Sequence, residues 1–157
     1  MILCDAFSQL NEILVQYGYI GFFFAAFLSA TILPFSSEII LSGLLISGAS
    51  PMLCVFTGTL GNTLGGITCY WIGMAGKIEW IERYLKIEKS KLDQAQNWTK
   101  KWGCFAAFFS FLPIIGDVIN VVLGFMRASF WKVTLFMALG KFSRYFAWML
   151  INYVFIE

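Results

Sequence analysis

Apolar residues dominate six stretches of the chain, and short polar interruptions separate them. The stretches are residues 18–33, 39–48, 52–76, 103–112, 118–126 and 133–156. A helix that crosses the ~30 Å hydrocarbon layer of a membrane needs about 20 residues. Residues 52–76 and 133–156 are long enough to cross, whereas the other four stretches are too short. The pattern therefore predicts two transmembrane helices and two pairs of short helices that turn back inside the membrane.

Each pair of short stretches is interrupted by a proline that an acidic residue follows four positions later. Pro34 precedes Glu38 in the first pair, and Pro113 precedes Asp117 in the second. Proline removes a helix hydrogen bond, and a carboxylate is costly in hydrocarbon. We therefore expect a helix break at each proline and a re-entrant hairpin around it. A kinked, tilted pair of full spans is the alternative for the first hairpin.

The two interrupted regions align with each other at an offset of 79 residues, which is the difference between Pro113 and Pro34. The same offset pairs Ala49-Ser50 with Ala128-Ser129 and Leu60-Gly61 with Leu139-Gly140. Chance matches between two apolar segments are the alternative explanation. The shared proline, acid and Ala-Ser pair favour an internal duplication.

Composition and charge indicate a membrane protein with a defined orientation. The chain is 59% hydrophobic, with a mean hydropathy of +0.76, whereas soluble domains are roughly 45 to 50% apolar. Residues 1–76 contain no lysine or arginine, and residues 77–101 contain seven of the eleven. Because basic loops stay in the cytoplasm, we expect residues 77–101 there, and both termini on the other side of a bacterial inner membrane. The amphipathic segment 77–102 should lie on the cytoplasmic leaflet or form a solvated loop, and Ser90 should cap a helix within it.

These features predict an all-α, polytopic helical membrane protein with a single domain over residues 1–157. Two re-entrant helical hairpins form an inverted repeat, and a transmembrane helix follows each hairpin. Repeat 1 covers about residues 18–76, and repeat 2 covers about residues 103–156. A separate surface helix is expected over residues 1–17, where apolar residues recur at helical spacing. With only four hairpin or span units, a homodimer is a candidate assembly.

Missing residue types exclude several kinds of site. The chain has no histidine, which removes the commonest metal ligand and histidine-based catalysis, so we predict no metal and no cofactor. The four cysteines lack CxxC spacing and are expected to be small buried hydrophobes: Cys4, Cys54, Cys69 and Cys104. We also predict no enzyme activity and no nucleic-acid partner. An intramembrane aspartyl protease built on Gly116-Asp117 would need a second aspartate, and Glu38 is a poor substitute.

The last span carries two basic residues near the centre of the bilayer. Lys141 and Arg144 are three positions apart and share one helical face. Counted from Val133 at ~1.5 Å per residue, they lie ~12 and ~17 Å into the membrane. Their charges balance those of Glu38 and Asp117, so a structural set of salt bridges is one interpretation. A binding site is the other, because both acids lie at helix breaks in an apparent repeat.

A site for an anion is the more specific of these interpretations. Half-helices that begin just after each proline would direct free N–H groups toward the membrane centre, beside the two basic residues. The acids could bind and release a proton as the site changes face. We therefore assign substrate or proton binding to five residues: Glu38, Asn62, Lys141, Arg144 and Asp117. In the motif GNTLGG, Gly61, Gly65 and Gly66 should let another helix pack closely.

Several motifs together resemble the DedA superfamily of VTT (SNARE-associated) domain proteins, and its small YqaA-type branch in particular. The motifs are FLSATILPFSSEIIL, GNTLGGITCYWIG, WGCFAAFFSFLPIIGDVINVVLGFMRASFW and LGKFSRY, within residues 21–147. The resemblance implies two facing re-entrant hairpins. It also implies movement of lipids across the membrane: undecaprenyl phosphate or phospholipids in bacteria, and scrambling in eukaryotic relatives.

The resemblance carries over to the first hairpin better than to the second. Glu38 matches the acidic residue of the first hairpin in the family. In the second hairpin the family has two arginines around the proline, where this chain has Ser110 and Gly116. Lys141 and Arg144 are candidates to supply the missing positive charge. The absence of the two arginines therefore affects which lipid headgroup can be assigned, and it leaves the implied architecture unchanged.

Three functions fit these observations. The leading prediction is a flippase-like or scramblase-like transporter of a phospholipid or lipid phosphate, which supports membrane homeostasis, with membrane lipids as partners and protons as a candidate coupling ion. A proton-coupled transporter of a soluble anion is the second. A membrane assembly protein without cargo is the third. A sideways groove lined by phenylalanines would favour lipid, and a closed aqueous cavity would favour a soluble anion.

Overall fold

The computed structural model of the chain describes residues 2–31, 37–76, 83, 88–113 and 115–156, with side chains described from residue 16 to residue 155. Every regular element in this part of the chain is helical. The elements are α1 (Ile2–Ser29), α2 (Ser37–Ile46), α3 (Pro51–Met74), α4 (Lys89–Trp102), a 3₁₀ helix (Gly103–Phe111), α5 (Ile115–Phe125) and α6 (Phe130–Ile156). The all-α prediction is confirmed for these residues.

Length and surface composition point to a lipid environment. Among the described helices, α3 is the one that is both long and apolar enough to cross a membrane by these criteria. Large apolar side chains cover much of the outer surface. Examples are Trp131, Ile39, Val154 and Phe155, which are 73% to 84% exposed. Soluble monomers rarely expose apolar patches of this extent.

Proline marks two of the helix boundaries. Pro51 is the first residue of α3, where its missing N–H has no helical partner to lose. Leu112 precedes Pro113 and has an extended backbone with ψ of 130°, because the proline ring clashes with a helical residue before it. The chain therefore breaks between the 3₁₀ helix and α5 at the predicted proline. Pro34, the other predicted break, lies outside the described residues.

Two boundary predictions are wrong. The surface helix expected over residues 1–17 is not separate, because α1 continues without interruption through Gly18 to Ser29. Ser90 does not cap a helix: α4 begins at Lys89, with Glu88 at the N-cap position and no side-chain hydrogen bond there. Backbone hydrogen bonds from Lys91 and Leu92 to the Glu88 carbonyl start this helix instead. Most of residues 77–87 lie outside the described part of the chain.

The first arm of the second hairpin is a 3₁₀ helix of nine residues. The sequence predicts a short α-helix here, and 3₁₀ runs beyond three or four residues are uncommon. A 3₁₀ helix rises about 2.0 Å per residue against 1.5 Å for an α-helix, so nine residues reach about 4.5 Å further. The 3₁₀ form therefore lets the segment between Gly103 and Pro113 span a longer distance with the same number of residues.

Close contacts show that α1 and α3 run parallel. The backbone carbonyl of Phe23 lies against Gly61, and that of Phe27 lies against Gly65. Further along, the Cys69 thiol donates to the carbonyl of Ala30 at 3.1 Å. In lipid, helices associate through such close packing of small residues, since the surrounding chains are as apolar as the side chains.

The helix α5 runs parallel to α3, since Asn120 lies beside Gly66 and the N–H of Phe125 lies beside Gly73. The two helices cross at a pair of glycines. A methyl group at Gly73 would overlap the Val121 carbonyl, and one at Gly124 would overlap the Tyr70 carbonyl. The Tyr70 hydroxyl donates to the carbonyl of Ala128 at 2.6 Å just beyond this crossing. The two backbones therefore touch, and no larger residue fits at either glycine without separating them.

The contacts of α6 follow the opposite direction along α3. Tyr145 packs beside Gly58, and Met137 packs beside Gly66. Midway between these contacts, Lys141 reaches the backbone of Asn62. As residue numbers rise on α3, those of its neighbours on α6 fall, so these two helices are antiparallel.

The remaining elements follow α6 in direction. Ser37 and Ser42 of α2 bond to Tyr145 and Trp148 of α6, so α2 and α6 are parallel. Along the 3₁₀ helix, Phe105 packs on Phe136 with ring centroids 4.4 Å apart, and the Phe108 carbonyl lies against Gly140. Apart from α4, the described elements thus form two sets: α1, α3 and α5 run one way, and α2, the 3₁₀ helix and α6 run the other.

Two buried clusters hold these elements together. One joins α1, α2 and the start of α3 to Tyr145 of α6, and the other joins the end of α3 to α4, α5 and the start of α6. Leu92, Ala95 and Thr99 of α4 are buried, and this helix packs against α5 and the 3₁₀ helix. The apolar stripe predicted for α4 is therefore covered largely by protein, while its lysines remain on the outside.

Candidate functional site

The charged residues singled out from the sequence lie where the two short helices begin. Glu38 is the second residue of α2, and Asp117 is the third residue of α5. Both face the middle of α6, which contributes Lys141 and Arg144. Helix N-termini expose unpaired backbone N–H groups and a partial positive charge. Two acids, two bases and two helix starts are thus brought together.

The first ion pair joins α2 to α6 through charged hydrogen bonds. The Arg144 guanidinium donates from Nε to Glu38 Oε1 at 2.7 Å, and its Nη2 donates to the same oxygen. Its Nη1 donates to the carbonyl of Phe111 at 3.2 Å. Only 18% of the Glu38 side chain and 21% of the Arg144 side chain are exposed. Arg144 therefore links the acid of the first hairpin to the end of the 3₁₀ helix in the second.

The second ion pair is looser and less evenly buried. Lys141 Nζ lies 3.8 Å from Asp117 Oδ1, which is too long for a hydrogen bond. Lys141 instead donates to the backbone carbonyl of Asn62 at 2.5 Å. The lysine side chain is 1% exposed, whereas 32% of the Asp117 side chain is exposed. The cation is therefore enclosed, and its counter-ion is partly exposed.

Gly66 makes room for the lysine. A Cβ at this position would lie 2.9 Å from Lys141 Nζ and 3.1 Å from Asn120 Nδ2. Both distances are tighter than ordinary van der Waals contact, so the absence of a side chain lets the ammonium group approach the backbone of α3. Gly66 was predicted as a close-packing residue, and its close neighbours are Met137 of α6 and two polar groups of the site. Gly61 and Gly65 instead face the backbone of α1.

A network of hydroxyl and amide groups lies behind the first ion pair. The buried Tyr145 hydroxyl is 2.8 Å from Ser37 Oγ, and either oxygen can donate. Asn62 Nδ2 donates to the Tyr145 oxygen at 3.0 Å and to Ser29 Oγ at 3.2 Å. The ends of α1 and α2 are thereby joined to α3 and α6. The prediction for Asn62 named a substrate or proton contact; its observed partners are Ser29, Tyr145 and, through its carbonyl, Lys141.

The second hairpin has a smaller counterpart of this network. Asn120 Nδ2 donates to Ser110 Oγ at 3.1 Å, and both side chains are buried. Gly116 packs directly on the backbone of Ser110. Within the described residues, Asn120 Oδ1 is buried without a hydrogen-bond partner. The start of α5 is therefore secured by one amide and by backbone packing, without a tyrosine.

The sequence interpretation missed Tyr145, Ser37, Ser29 and Asn120. Tyr145 follows Lys141 by four positions and Asn120 follows Asp117 by three, so each shares a helical face with a predicted charge. That spacing was the available signal. The serines gave none, because serine is common in turns at helix ends.

The other predicted residues occupy less central positions. Pro113 is exposed in the break before α5. Cys54 and Cys69 are free thiols that are buried as predicted, and Cys104 is free and partly buried. The side chain of Cys4 lies outside the described residues. No group of three or more His, Cys, Asp or Glu residues that could hold a metal ion occurs in the described part of the chain.

Known proteins place the chain in a family. Residues 33–154 match the VTT domain. The inner membrane protein YqaA of Escherichia coli is 38% identical over 128 residues, which cover 80% of this chain and 84% of YqaA. An uncharacterized protein of Haemophilus influenzae is 31% identical over 97% of this chain and 99% of its own length. Undecaprenyl phosphate transporter A of Bacillus subtilis is 32% identical, over 80% of this chain and 65% of that protein. No solved structure matches the chain.

These matches confirm the resemblance noted in the motifs. The VTT domain covers most of the chain, and the Escherichia coli relative matches along most of both sequences. The name of that relative indicates the bacterial inner membrane. Two of these relatives are named as a membrane protein and as a transporter. This chain belongs to the DedA superfamily of VTT-domain membrane proteins.

Proposed function

We propose that this protein is a flippase-like or scramblase-like transporter that moves lipids with an anionic phosphate headgroup across the bacterial inner membrane in a proton-linked cycle. The observation that carries the proposal is the meeting of Glu38, Asp117, Lys141 and Arg144 at the starts of two short helices. Helix N-termini and basic side chains favour a phosphate group, and the two acids keep the empty site neutral.

An inverted repeat is the architecture that we infer for this transporter. At the offset of 79, α1 corresponds to the 3₁₀ helix, α2 to α5, and α3 to α6. Each element runs opposite to its counterpart. The contacts between α3 and α6 are reciprocal, since Gly58 meets Tyr145 while their counterparts, Met137 and Gly66, also meet. Lys141 bonds to its own counterpart, Asn62, which supports a pseudo-twofold axis at this contact.

The first hairpin has the contacts that a re-entrant segment requires. Leu44 near the end of α2 packs on Gly18 of α1. The N–H of Ser50, just before α3, donates to the Tyr19 hydroxyl at 2.7 Å. The hairpin thus returns to the level at which α3 begins. Ala30, just after α1, lies at the level of Cys69, and α3 continues beyond that level to Met74.

Aromatic side chains favour a lipid over a soluble anion as the cargo. A series of aromatic rings extends along the 3₁₀ helix from α4 toward Arg144. Neighbouring rings in the series have centroids about 5 to 6 Å apart: Trp98, Trp102, Phe108, Phe109 and Phe111. Phe105 on the same segment is 60% exposed. Apolar rings beside a charged site suit a lipid whose tails remain in the bilayer while its headgroup crosses. The name of the Bacillus subtilis relative points to the same class of cargo.

Reconstitution into liposomes tests the proposal. Leaflet exchange of a fluorescent phosphatidylglycerol is measured by chemical quenching of the outer leaflet, and uptake of radiolabelled phosphate is measured in parallel. We expect lipid exchange well above that of protein-free liposomes. Arg144→Ala should reduce it at least about tenfold, because removing one partner of a buried pair leaves a charge uncompensated at a cost of several kcal/mol. Glu38→Gln should act similarly.

The control is Asp93→Asn, which changes an exposed acid on α4. Lipid exchange in this variant should equal that of the parent. Unchanged exchange in Glu38→Gln, Asp117→Asn and Arg144→Ala would remove these residues from the mechanism. Uptake of phosphate without lipid exchange would replace lipid transport by transport of a soluble anion.

A further inference from the structure

The two ion pairs of the site differ in how firmly their acids are held. Glu38 accepts two hydrogen bonds from Arg144. Asp117 lies 3.8 Å from its cation and accepts no hydrogen bond from any other described residue. A proton on Glu38 would neutralise a carboxylate that accepts two charged hydrogen bonds from Arg144, whereas a proton on Asp117 ends only a longer-range attraction. Protonation therefore disturbs the structure less at Asp117.

The two acids also differ in exposure and in the hydrogen bonds around them, and both differences leave Asp117 freer than Glu38. Asp117 is 32% exposed and Glu38 18%. The residue before Glu38 is Ser37, which bonds to the buried Tyr145. The residue before Asp117 is Gly116, which has no side chain to form such a bond. The first acid is therefore part of a fixed network, and the second is the more accessible and the less restrained.

The cation beside Asp117 is suited to a change of partner. Lys141 is held by the carbonyl of Asn62, so its position does not depend on Asp117. An ammonium group has three N–H donors, and the one hydrogen bond to Asn62 leaves donors for an incoming group. If Asp117 becomes neutral, the charge of Lys141 loses its counter-ion while the lysine keeps its place.

We propose that Asp117 carries the proton of the transport cycle, that Glu38 serves as the fixed partner of Arg144, and that one proton accompanies each monoanionic phosphate headgroup. The proposal rests on the lipid transport proposed above. The empty site has two positive and two negative charges, so it is neutral. One proton on Asp117 leaves a charge of plus one, which a phosphodiester monoanion neutralises.

The binding step follows from these groups. The proton joins a carboxylate oxygen of Asp117, which becomes a carboxylic acid and a hydrogen-bond donor. A phosphate oxygen then accepts hydrogen bonds from Lys141 Nζ and from this O–H group. Release reverses both events, and the proton leaves with the headgroup on the other side. No covalent bond other than the O–H bond forms or breaks.

Titration of Asp117 depends on charged and titratable groups on three neighbouring elements. Lys141 and Arg144 face it from α6, Cys69 lies near it on α3, and Glu38 of α2 acts through Arg144. Among these groups, only Lys141 forms an ion pair with Asp117. A change at Glu38 should therefore affect the proton at Asp117 less than a change at Asp117 itself.

Proton movement in vesicles tests the inference. Phosphatidylcholine vesicles containing the full chain and the pH dye pyranine receive fluorescent phosphatidylglycerol in their outer leaflet. Inward movement of this monoanionic lipid should acidify the lumen, with close to one proton per lipid moved. Fluorescent phosphatidylcholine, whose headgroup is neutral overall, should produce no acidification. A step that carried one net charge would change up to about 40-fold in rate at 100 mV, so the rate with phosphatidylglycerol should not respond to an imposed potential.

Variants separate the two acids. Asp117→Asn should abolish acidification, while Glu38→Gln should retain the proton-to-lipid ratio for the lipid it still moves, and Asp93→Asn should match the parent. Acidification that persists in Asp117→Asn, or disappears in Glu38→Gln while lipid still moves, would overturn the inference. If Asp117→Asn moves no lipid, the pH dependence of lipid movement is measured in Asp117→Glu. A half-maximal pH that differs from that of the parent supports the inference, and the same half-maximal pH overturns it.

Failure of the proposed function gives a different result. In that case the parent moves neither labelled lipid above the rate of protein-free vesicles. Acidification with dimethyl phosphate, a soluble monoanionic phosphodiester, but with no lipid movement would assign the proton step to a soluble cargo. Lipid movement that responds to the potential and carries no proton would leave lipid transport intact and overturn the role of Asp117.

Discussion

Lys141 illustrates what a buried charge needs. Its side chain is 1% exposed, and its neighbours are a backbone carbonyl, a carboxylate 3.8 Å away and a glycine that leaves room for it. Burying an unpaired charge would cost several kcal/mol. The carbonyl of Asn62 and the negative charge of Asp117 together offset that cost. The site is therefore built around a cation whose place is set by the backbone of α3.

Residue types in the site could be predicted, but their pairing could not. Acids and bases inside apolar stretches are rare enough to be noticed in the sequence. Which acid meets which base depends on the rotation of α6 against the two hairpins, and no periodicity encodes that rotation. For the same reason, no sequence pattern indicated that Lys141 would donate a hydrogen bond to a main-chain oxygen.

Removal of one hydroxyl tests the network behind the first ion pair. In Tyr145→Phe, Asn62 and Ser37 each lose a buried hydrogen-bond partner. We therefore expect a loss of about 1 kcal/mol in the free energy of unfolding. Thermal or denaturant unfolding in detergent measures it. Tyr153→Phe is the matched control, because Tyr153 lies on the same helix and is 61% exposed. Equal effects of the two substitutions would contradict a role for the network.

At the scale of elements, apolar length was the most informative feature of the sequence. It predicted the boundaries of α3, α6 and the short helices α2 and α5 to within a few residues. It did not give the continuous α1, because polar residues before Gly18 suggested a separate helix. Nor did it give the 3₁₀ helix, since α and 3₁₀ conformations share similar apolar spacing over nine residues and differ mainly in rise. The distance that this segment must span is set by the assembled protein, and the segment's own sequence does not encode it.

The crossing of α3 and α5 tests close packing between elements. Gly73→Ala would force a methyl group into the backbone of α5, so we expect a loss of about 3 kcal/mol or more in stability. Gly21→Ala is the matched control, since a methyl group there meets no other atom within 4 Å. It should be neutral or stabilise by about 0.5–1 kcal/mol, because alanine favours a helix more than glycine does. The yield and melting temperature of purified protein in detergent measure both effects. A Gly73→Ala variant as stable as the parent would contradict direct backbone contact.

At the scale of the whole molecule, the inferred inverted repeat makes a prediction about sidedness. Ser50 and Ser129 are equivalent at the offset of 79, and both are exposed. If α3 crosses the membrane, Ser50 lies at its start. The Tyr70–Ala128 hydrogen bond holds the residues around Ser129 near its end. Because basic residues lie near Ser129, we predict that this side faces the cytoplasm.

Cysteine labelling measures this sidedness. In a chain whose native cysteines are replaced, Ser50→Cys should react with a membrane-impermeant maleimide added to intact cells. Ser129→Cys should react only after the membrane is opened. Reaction of both positions from the same side would exclude opposite orientation of the two halves.

The contact between Asn62 and Lys141 has a consequence for how such a chain can arise. In two identical halves related by a twofold axis, the residue on the axis faces its own copy. Two lysines would then repel each other at close range with little water to screen them, and two asparagines would leave this contact without a cation. A single positive charge at the centre therefore requires that the halves be unlike at this position. Fusion of two copies into one gene allows that asymmetry, whereas a pair of identical chains does not.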